Sequence, residues 1–357
     1  MEKLWRKNLI DIEPYVAGEQ PKTDDIIKLN ANECPYPPSP EVQKCVDSFE
    51  AGELRLYPSM DAAPLRKAVA ERLNSLNGTS LTSENVFIGN GSDDVLATAF
   101  RAFYNSEKPI VFPDITYSFY PVWCELLKIP FRTLPVDEKF GINAADYYPE
   151  NGGVVIPNPN APTSIRRGID FVTDILEHNN DCIVIIDEAY IDFGGESAVK
   201  LIDKYDNLIV TQTFSKSRSM AGMRIGMAMG NAELITYMEA VKDSYNSYPM
   251  DRLSIAAGVA SVNDEAYLKK TVAKVCATRD RIAAQMREMG FDVPESGTNF
   301  LFAEHKSLTA KEIFTYLRDK GIYVRYWDKP RINNRLRITI GTDEQMDKMI
   351  AAIKELL

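Results

Sequence analysis

Histidine is nearly missing from this chain: His178 and His305 are the only two in 357 residues. His178 closes a helix-like stretch, where a helix-end cap is the ordinary use of the residue. His305 follows an apolar run and reads as a loop residue. Neither stands beside a candidate nucleophile, so an enzyme built here moves protons with lysine, tyrosine or carboxylates. Paired cysteines are missing too. Cys34, Cys45, Cys124, Cys182 and Cys276 are odd in number and form no C-x-x-C pair. That pattern argues against a disulfide framework and a zinc site; no metal is expected, and reduced thiols in a cytoplasmic protein are. No apolar run approaches the ~20 residues that span a bilayer, and Met1 to Ile10 lacks a signal-peptide core. Positive charge is also in deficit, 41 Lys and Arg against 51 Asp and Glu, a net charge of -10. A nucleic-acid partner and a polybasic membrane anchor are therefore not expected. An anionic small molecule remains open, because local arginines override the global field.

What is present is ordinary globular material, 45% hydrophobic and 26% charged, with length for about two domains at roughly 150 residues each. Short apolar runs alternate with helical patterns through the middle of the chain. Val86-Phe-Ile88, Pro109 to Phe112, Gly153 to Ile156, Ile183 to Ile186, Leu208 to Val210 and Arg224 to Met229 read as buried strands. The alternation predicts an α/β fold with a mainly parallel central sheet flanked by helices. From about Asn231 the pattern turns helical, with Asp251 to Met289 as one or two long helices, and from Asn299 the chain reads as a smaller α+β module. The expected division is 30–245 for the large domain and 246–357 for the small one, with a 1–29 arm packing near the latter. Polar residues follow several strand ends, the edge where open α/β sheets bind ligands.

Lys216 lies in Thr213-Phe-Ser-Lys-Ser217, just past a strand end. Alone it would be a solvated lysine. Its company changes that: Asp187 closes a strand, Tyr190 follows three residues later, and Arg224 opens another strand. Together they suit pyridoxal phosphate (PLP). A lysine amine forms an imine with the aldehyde. A carboxylate keeps the pyridine nitrogen protonated and the ring an electron sink. A tyrosine hydroxyl bonds the phenolic oxygen, and arginine grips the phosphate. Gly89-Asn-Gly-Ser-Asp-Asp94 passes from strand to helix with two glycines, offering backbone N–H groups to an anion. It fails G-x-G-x-x-G at Asp94, and no G-x-x-x-x-G-K-[S/T] occurs.

The chain resembles the fold-type I PLP-dependent aminotransferases of the class II subgroup, on the branch acting on histidinol phosphate. The matching stretches run in order from Leu29-Asn-Ala-Asn-Glu33, Pro35-Tyr-Pro37 and Tyr57-Pro58 through Gly89 to Asp93, Thr116 to Ser118 and Asn158 to Thr163. They continue with Asp187 to Phe193, Thr213 to Lys216, Ala221 to Gly226, Thr298 to Leu301, Val324-Arg325 and Leu336 to Gly341. The resemblance implies that Lys216 carries PLP and shuttles the proton. It implies that Asp187 meets the pyridine nitrogen, Tyr190 the phenolic oxygen, and that Tyr117 stacks on the ring. Ser92 and Asp93 by backbone, with Ser215 and Arg224, would hold the phosphate. Tyr57 would reach the phosphate in the other subunit of a homodimer. Arg325 and Arg337 would take the substrate's phosphate and Arg337 the glutamate carboxylate, with Tyr15 closing over them. The implied reaction passes an amino group between glutamate and a phosphorylated amino alcohol's ketone. Within the resemblance, a threonine-phosphate decarboxylase and an aromatic amino-acid aminotransferase remain alternatives. A non-enzymatic PLP-binding regulator is disfavoured: the family pattern begins at Leu29, and the balance is acidic.

One departure matters. The family's common run is N-P-x-N-P-T-G, whose second asparagine bonds the phenolic oxygen. Here it is Asn158-Pro-Asn-Ala-Pro-Thr-Ser164, with Ala161 in that place. The expectation is that Asn160 supplies the amide through a local backbone shift. Cys34 replaces the usual Asn before Pro35. Ser217-Arg-Ser-Met220 is also atypical, with Arg218 expected as a solvated loop charge.

Overall fold

The computed structural model describes residues 9–10, 12–15, 18–19 and 26–357; the rest of the expected arm lies outside the described residues. After β1 (Ile27–Lys28), α1 (Pro40–Asp47) and α2 (Ala63–Asn77) come β2 (Val86–Asn90), α3 (Ser92–Phe103) and β3 (Ile110–Pro113). Then follow α4 (Phe119–Leu127), β4 (Phe131–Leu134), β5 (Gly153–Pro157), α5 (Ile169–His178), β6 (Val184–Asp187), β7 (Leu208–Thr213) and β8 (Ile225–Gly230). These seven strands, β2 to β8, form one sheet in the order β2-β8-β7-β6-β5-β3-β4. β8 runs antiparallel to both its neighbours; the other pairs are parallel. Parallel pairs need crossovers, and the helices between them supply these.

The central strands β5, β6 and β7 carry apolar residues at consecutive positions because both faces are covered. Val154 and Ile156, Val184 and Ile186, and Leu208 and Val210 face one core with α1, α2 and α5. The intervening Val155, Ile185 and Ile209 face the other, with Leu96, Phe100, Tyr120 and Met238. This is the two-residue period of a strand read on both sides.

Helices α6 (Ala232–Asp243) and α7 (Arg252–Asn263) follow, then α8 (Glu265–Glu288), β9 (Phe291–Asp292), β10 (Phe300–His305) and α9 (Ala310–Asp319). The chain ends with β11 (Ile322–Tyr323), β12 (Arg325–Tyr326), β13 (Leu336–Thr339) and α10 (Asp343–Leu356). An antiparallel sheet β12-β13-β10-β9 shares a core with α8, α9 and α10. β1 pairs in parallel with β11, tying the chain's start to this unit.

The stretch Asp251 to Met289 is two helices, parted at Asp264, whose carboxylate accepts the Tyr267 N–H and caps α8. Helix α7 lies beyond residue 245 yet packs Ile255, Ala257 and Val262 with Val42, Leu65 and Val69 of the first core. An amphipathic period shows that a helix is covered, not which sheet it belongs with. His305 is also not a loop residue: it ends β10, buried, with Nε2 3.1 Å from the Met289 carbonyl oxygen.

Candidate active site

The parallel strands end together on one edge of the main sheet, and the polar residues singled out in the sequence gather there. Ser92 and Asp93 follow β2, Tyr117 follows β3, and Ala161 follows β5. Asp187 closes β6 with Tyr190 beyond it, and Ser215 and Lys216 follow β7. Arg224 joins them because β8 runs the other way and begins at this edge. They line a chamber of about 190 Å³. A second chamber, also about 190 Å³, adjoins it and shares Tyr117, Ala161, Tyr190 and Lys216. A larger cleft of about 530 Å³ opens at the amino-terminal edge of the strands, around Lys108, Asn151 and Asn207, and contains none of these groups.

In the first chamber Asp187 is buried. The Tyr120 hydroxyl donates to it at 2.7 Å, the Ala189 N–H at 3.2 Å and the Thr211 hydroxyl at 3.4 Å. Burial nonetheless pushes its carboxyl above the usual range. Among the described residues no cation pairs with it. A buried carboxylate without a counter-charge is costly, and a protonated pyridine nitrogen supplies that charge. The anion end fits as well. Gly91, with φ 84°, starts α3, and a Cβ there would overlap the Arg224 guanidinium. A Cβ on Gly226 would overlap the Gly91 carbonyl. The two glycines let Arg224 close on the first turn of a twelve-residue helix, a cradle for phosphate. Asp93 accepts from Tyr117 Oη at 2.7 Å and from Arg224 Nη2 at 3.3 Å. Burial, reinforced by Asp93, holds the Tyr117 phenol well above its ordinary pKa, so it stays a neutral donor. Lys216 Nζ sits 3.5 Å from the Ala31 carbonyl oxygen, on the border of both chambers.

The second chamber is lined by Tyr15, Arg325 and Arg337. The antiparallel register sets Arg325 opposite Arg337. Arg337 Nη2 donates to the Asn30 carbonyl at 2.7 Å, while its buried Nε has no partner among the described residues. Burial, and then Arg325, lowers its pKa; a guanidinium stays charged regardless. An anion in this chamber relieves both costs. Tyr15 stacks on Phe119, centroids 4.2 Å apart.

Two residues are not where the sequence reading put them. Asn160 does not reach the chamber: its Nδ2 donates to the Ile115 carbonyl at 2.9 Å and to Thr163 Oγ1 at 3.0 Å. Both amide hydrogens are spent on the local turn, which leaves none for a ring. Arg218 is not solvated but 6% exposed, bonded to the Ser261 carbonyl and 3.8 Å from Glu265. Burial lowers its pKa to about 10. Tyr57 lies outside both chambers of its own chain, 78% exposed and stacked on Tyr248. Sequence reasoning also passed over Tyr120, Trp327 and Asn32. Tyr120 sits three residues past Tyr117, in the first turn of α4, and gives its hydroxyl hydrogen to Asp187. Trp327 sits two past Arg325, and both guanidinium groups lie over it, 5.2 and 5.3 Å from its ring. Asn32 stood inside a matching motif with no role attached.

The model of one protein family, described as aminotransferase class I and II, matches residues 24–353. A histidinol-phosphate aminotransferase of Lactococcus lactis subsp. cremoris (strain MG1363) is 49% identical over 353 residues, covering 99% of this chain and 98% of that protein. One from Acinetobacter baumannii (strain SDF) is 48% identical over 356 residues, covering 99% and 97%. A solved histidinol-phosphate aminotransferase from Sinorhizobium meliloti, in complex with pyridoxal-5'-phosphate, superposes with a TM-score of 0.81. It is 26% identical and covers 93% of this chain and 92% of that one.

Proposed function

Because the chain belongs to the class I and II aminotransferases, we propose that it moves the amino group of L-glutamate onto imidazole-acetol phosphate. The products are histidinol phosphate and 2-oxoglutarate, in histidine biosynthesis. The relatives at 48–49% identity carry that activity in their names. The observation that carries the reading here is the Arg325–Arg337 pair beside Lys216. One fork of donors meets the donor's carboxylate and the acceptor's phosphate in turn.

In this reading PLP occupies the first chamber. Lys216 would anchor it, Asp187 would meet its nitrogen, Tyr190 its phenolic oxygen, and Tyr117 would stack on its ring. The Ser92 and Asp93 backbone, Ser215 and Arg224 would hold its phosphate, with Tyr57 of the partner subunit completing the cradle in a cytoplasmic homodimer. When bound, the cofactor supplies an electron sink for the pair left behind at the amino-bearing carbon. Lys216 Nζ, between the chambers, takes the proton from that carbon and returns it to the acceptor. Arg325 and Arg337 orient the substrate's anion, and Tyr15 with Phe119 walls the chamber against water. Asp187, with no cation beside it among the described residues, would keep the nitrogen end positive.

The deciding experiment compares amino donors to 2-oxoglutarate: histidinol phosphate, phenylalanine and threonine phosphate. Histidinol phosphate is expected to give the highest kcat/KM for glutamate formation. A higher value for phenylalanine, or carbon dioxide release from threonine phosphate, would overturn the substrate assignment and leave the cofactor site standing.

A further inference from the structure

Ala161 offers no donor and Asn160 is turned away, so the cofactor's phenolic oxygen needs another explanation. Two tyrosines border both chambers. Tyr117 gives its hydrogen to Asp93. Tyr190 is different: its oxygen accepts from Asn32 Nδ2 at 2.8 Å, and among the described residues no acceptor takes its hydrogen.

The Asn32 amide is locked in that orientation. Its Oδ1 accepts from Thr339 Oγ1 at 3.0 Å, and the same hydroxyl accepts the Asn32 backbone N–H at 3.0 Å. Asn299 Nδ2 holds the Asn32 carbonyl at 2.9 Å. Asn32 and Thr339 are 1% and 2% exposed, so no solvent competes. The backbone at Asn32 is left-handed, φ 57°, a conformation asparagine tolerates. With its carbonyl side taken by a hydroxyl, the amide presents only N–H to Tyr190. A phenol that has accepted there points its own hydrogen elsewhere.

Resting on the proposed cofactor site, we infer that Asn32 is a positioning residue: with Thr339 it fixes the Tyr190 hydroxyl as a hydrogen donor into the first chamber. Tyr190 then serves the phenolic oxygen without the second asparagine of the family's common run. Asn32 acts only through Tyr190.

The test loads the protein with PLP and titrates the visible absorbance of the bound cofactor against pH. It uses the unaltered chain, Asn32→Leu, Tyr190→Phe and the double variant. Leucine keeps the volume and removes the amide. Losing a donor destabilises the anionic form and raises the midpoint. The expected rise in Asn32→Leu is about one pH unit, tenfold in proton affinity. Tyr190→Phe rises at least as far, and the double variant no further than Tyr190→Phe. Thr339→Val, equal in shape, gives a smaller rise in the same direction and carries the test if Asn32→Leu fails to fold. The charged groups nearby stay constant throughout: Glu33, Asp93, Asp187, Lys216 and Arg224 in one chamber, Arg325 and Arg337 in the other. An unmoved midpoint in Asn32→Leu and Thr339→Val overturns the inference, as does an equal shift by Asn32→Leu in the Tyr190→Phe background. Absence of any visible band in the loaded, unaltered protein sinks the cofactor-site reading instead.

Discussion

The two chambers meet at Lys216 and Tyr190 but are built by different means. Apart from Glu33, every polar or charged residue in the first lies within four residues of the end of a main-sheet strand. The sheet alone brings them together, since parallel strands deliver their carboxyl ends to one edge. The second chamber draws on Tyr15, on Asn30 and Asn32, on Thr116, and on β12 and β13 some three hundred residues later. Its geometry depends on docking the arm and the small sheet against the large one. The first chamber is therefore a property of one fold, and the second of the contact between two. That division suits a fixed cofactor beside substrates that must enter and leave.

Breaking each chamber separately tests the division. Asp187→Ala removes the charge facing the ring nitrogen from the first. The expected loss is in kcat, about a hundred- to a thousandfold, the scale of one preorganised electrostatic group. It should be similar with glutamate and with histidinol phosphate, and KM should change little. Arg337→Ala removes one hydrogen-bonding arm from the second. An interaction with a charged group is worth about 1.5–3 kcal/mol, so kcat/KM should fall roughly ten- to hundredfold, carried mostly by KM. Steady-state kinetics with both donors reads the two patterns. A kcat loss in Arg337→Ala with KM unmoved would show that the chambers do not divide the work this way.

The same difference explains what was legible beforehand. Asp187, Tyr190, Lys216 and Arg224 could be read from the sequence because each sits at a fixed offset from an apolar strand, and a strand is a local pattern. The pairing of Arg325 with Arg337 is a register between strands separated by nine residues, which no window of sequence displays. Asn160 failed for a related reason. Its spacing allowed it to face the chamber, but the turn's own needs claimed its amide for the Ile115 carbonyl and Thr163. Arg218 failed because a charged residue in a loop reads as solvated, and only three-dimensional packing against Ser261 and Glu265 buries it. Asn32 was visible as a letter in a motif. Its use depends on Thr339, 307 residues away.

The smallest expected effect concerns the wall behind the first chamber. Glu188 follows Asp187 directly but turns from the chamber. Its Oε1 accepts the Ala198 N–H at 2.6 Å, and its Oε2 accepts from Ser197 at 2.6 Å and Gln212 at 2.9 Å. These bonds favour the carboxylate, yet complete burial outweighs them and pushes the group up from 4.5 to about 7. A folded pKa above the unfolded one means the folded state holds the extra proton between pH 4.5 and 7. The stabilisation is then full below pH 4.5 and is lost as pH rises toward 7. The span of 7 minus 4.5 bounds it at about 3 kcal/mol. Glu188→Gln carries no proton to lose, so unfolding midpoints at pH 5 and pH 8 should differ less in this variant than in the unaltered protein. Its kcat at pH 8 should be unchanged, because Glu188 supports the wall and touches neither chamber. Equal pH slopes in the two proteins would mean that the three donors keep Glu188 ionised throughout, and that the wall is held by charged hydrogen bonds.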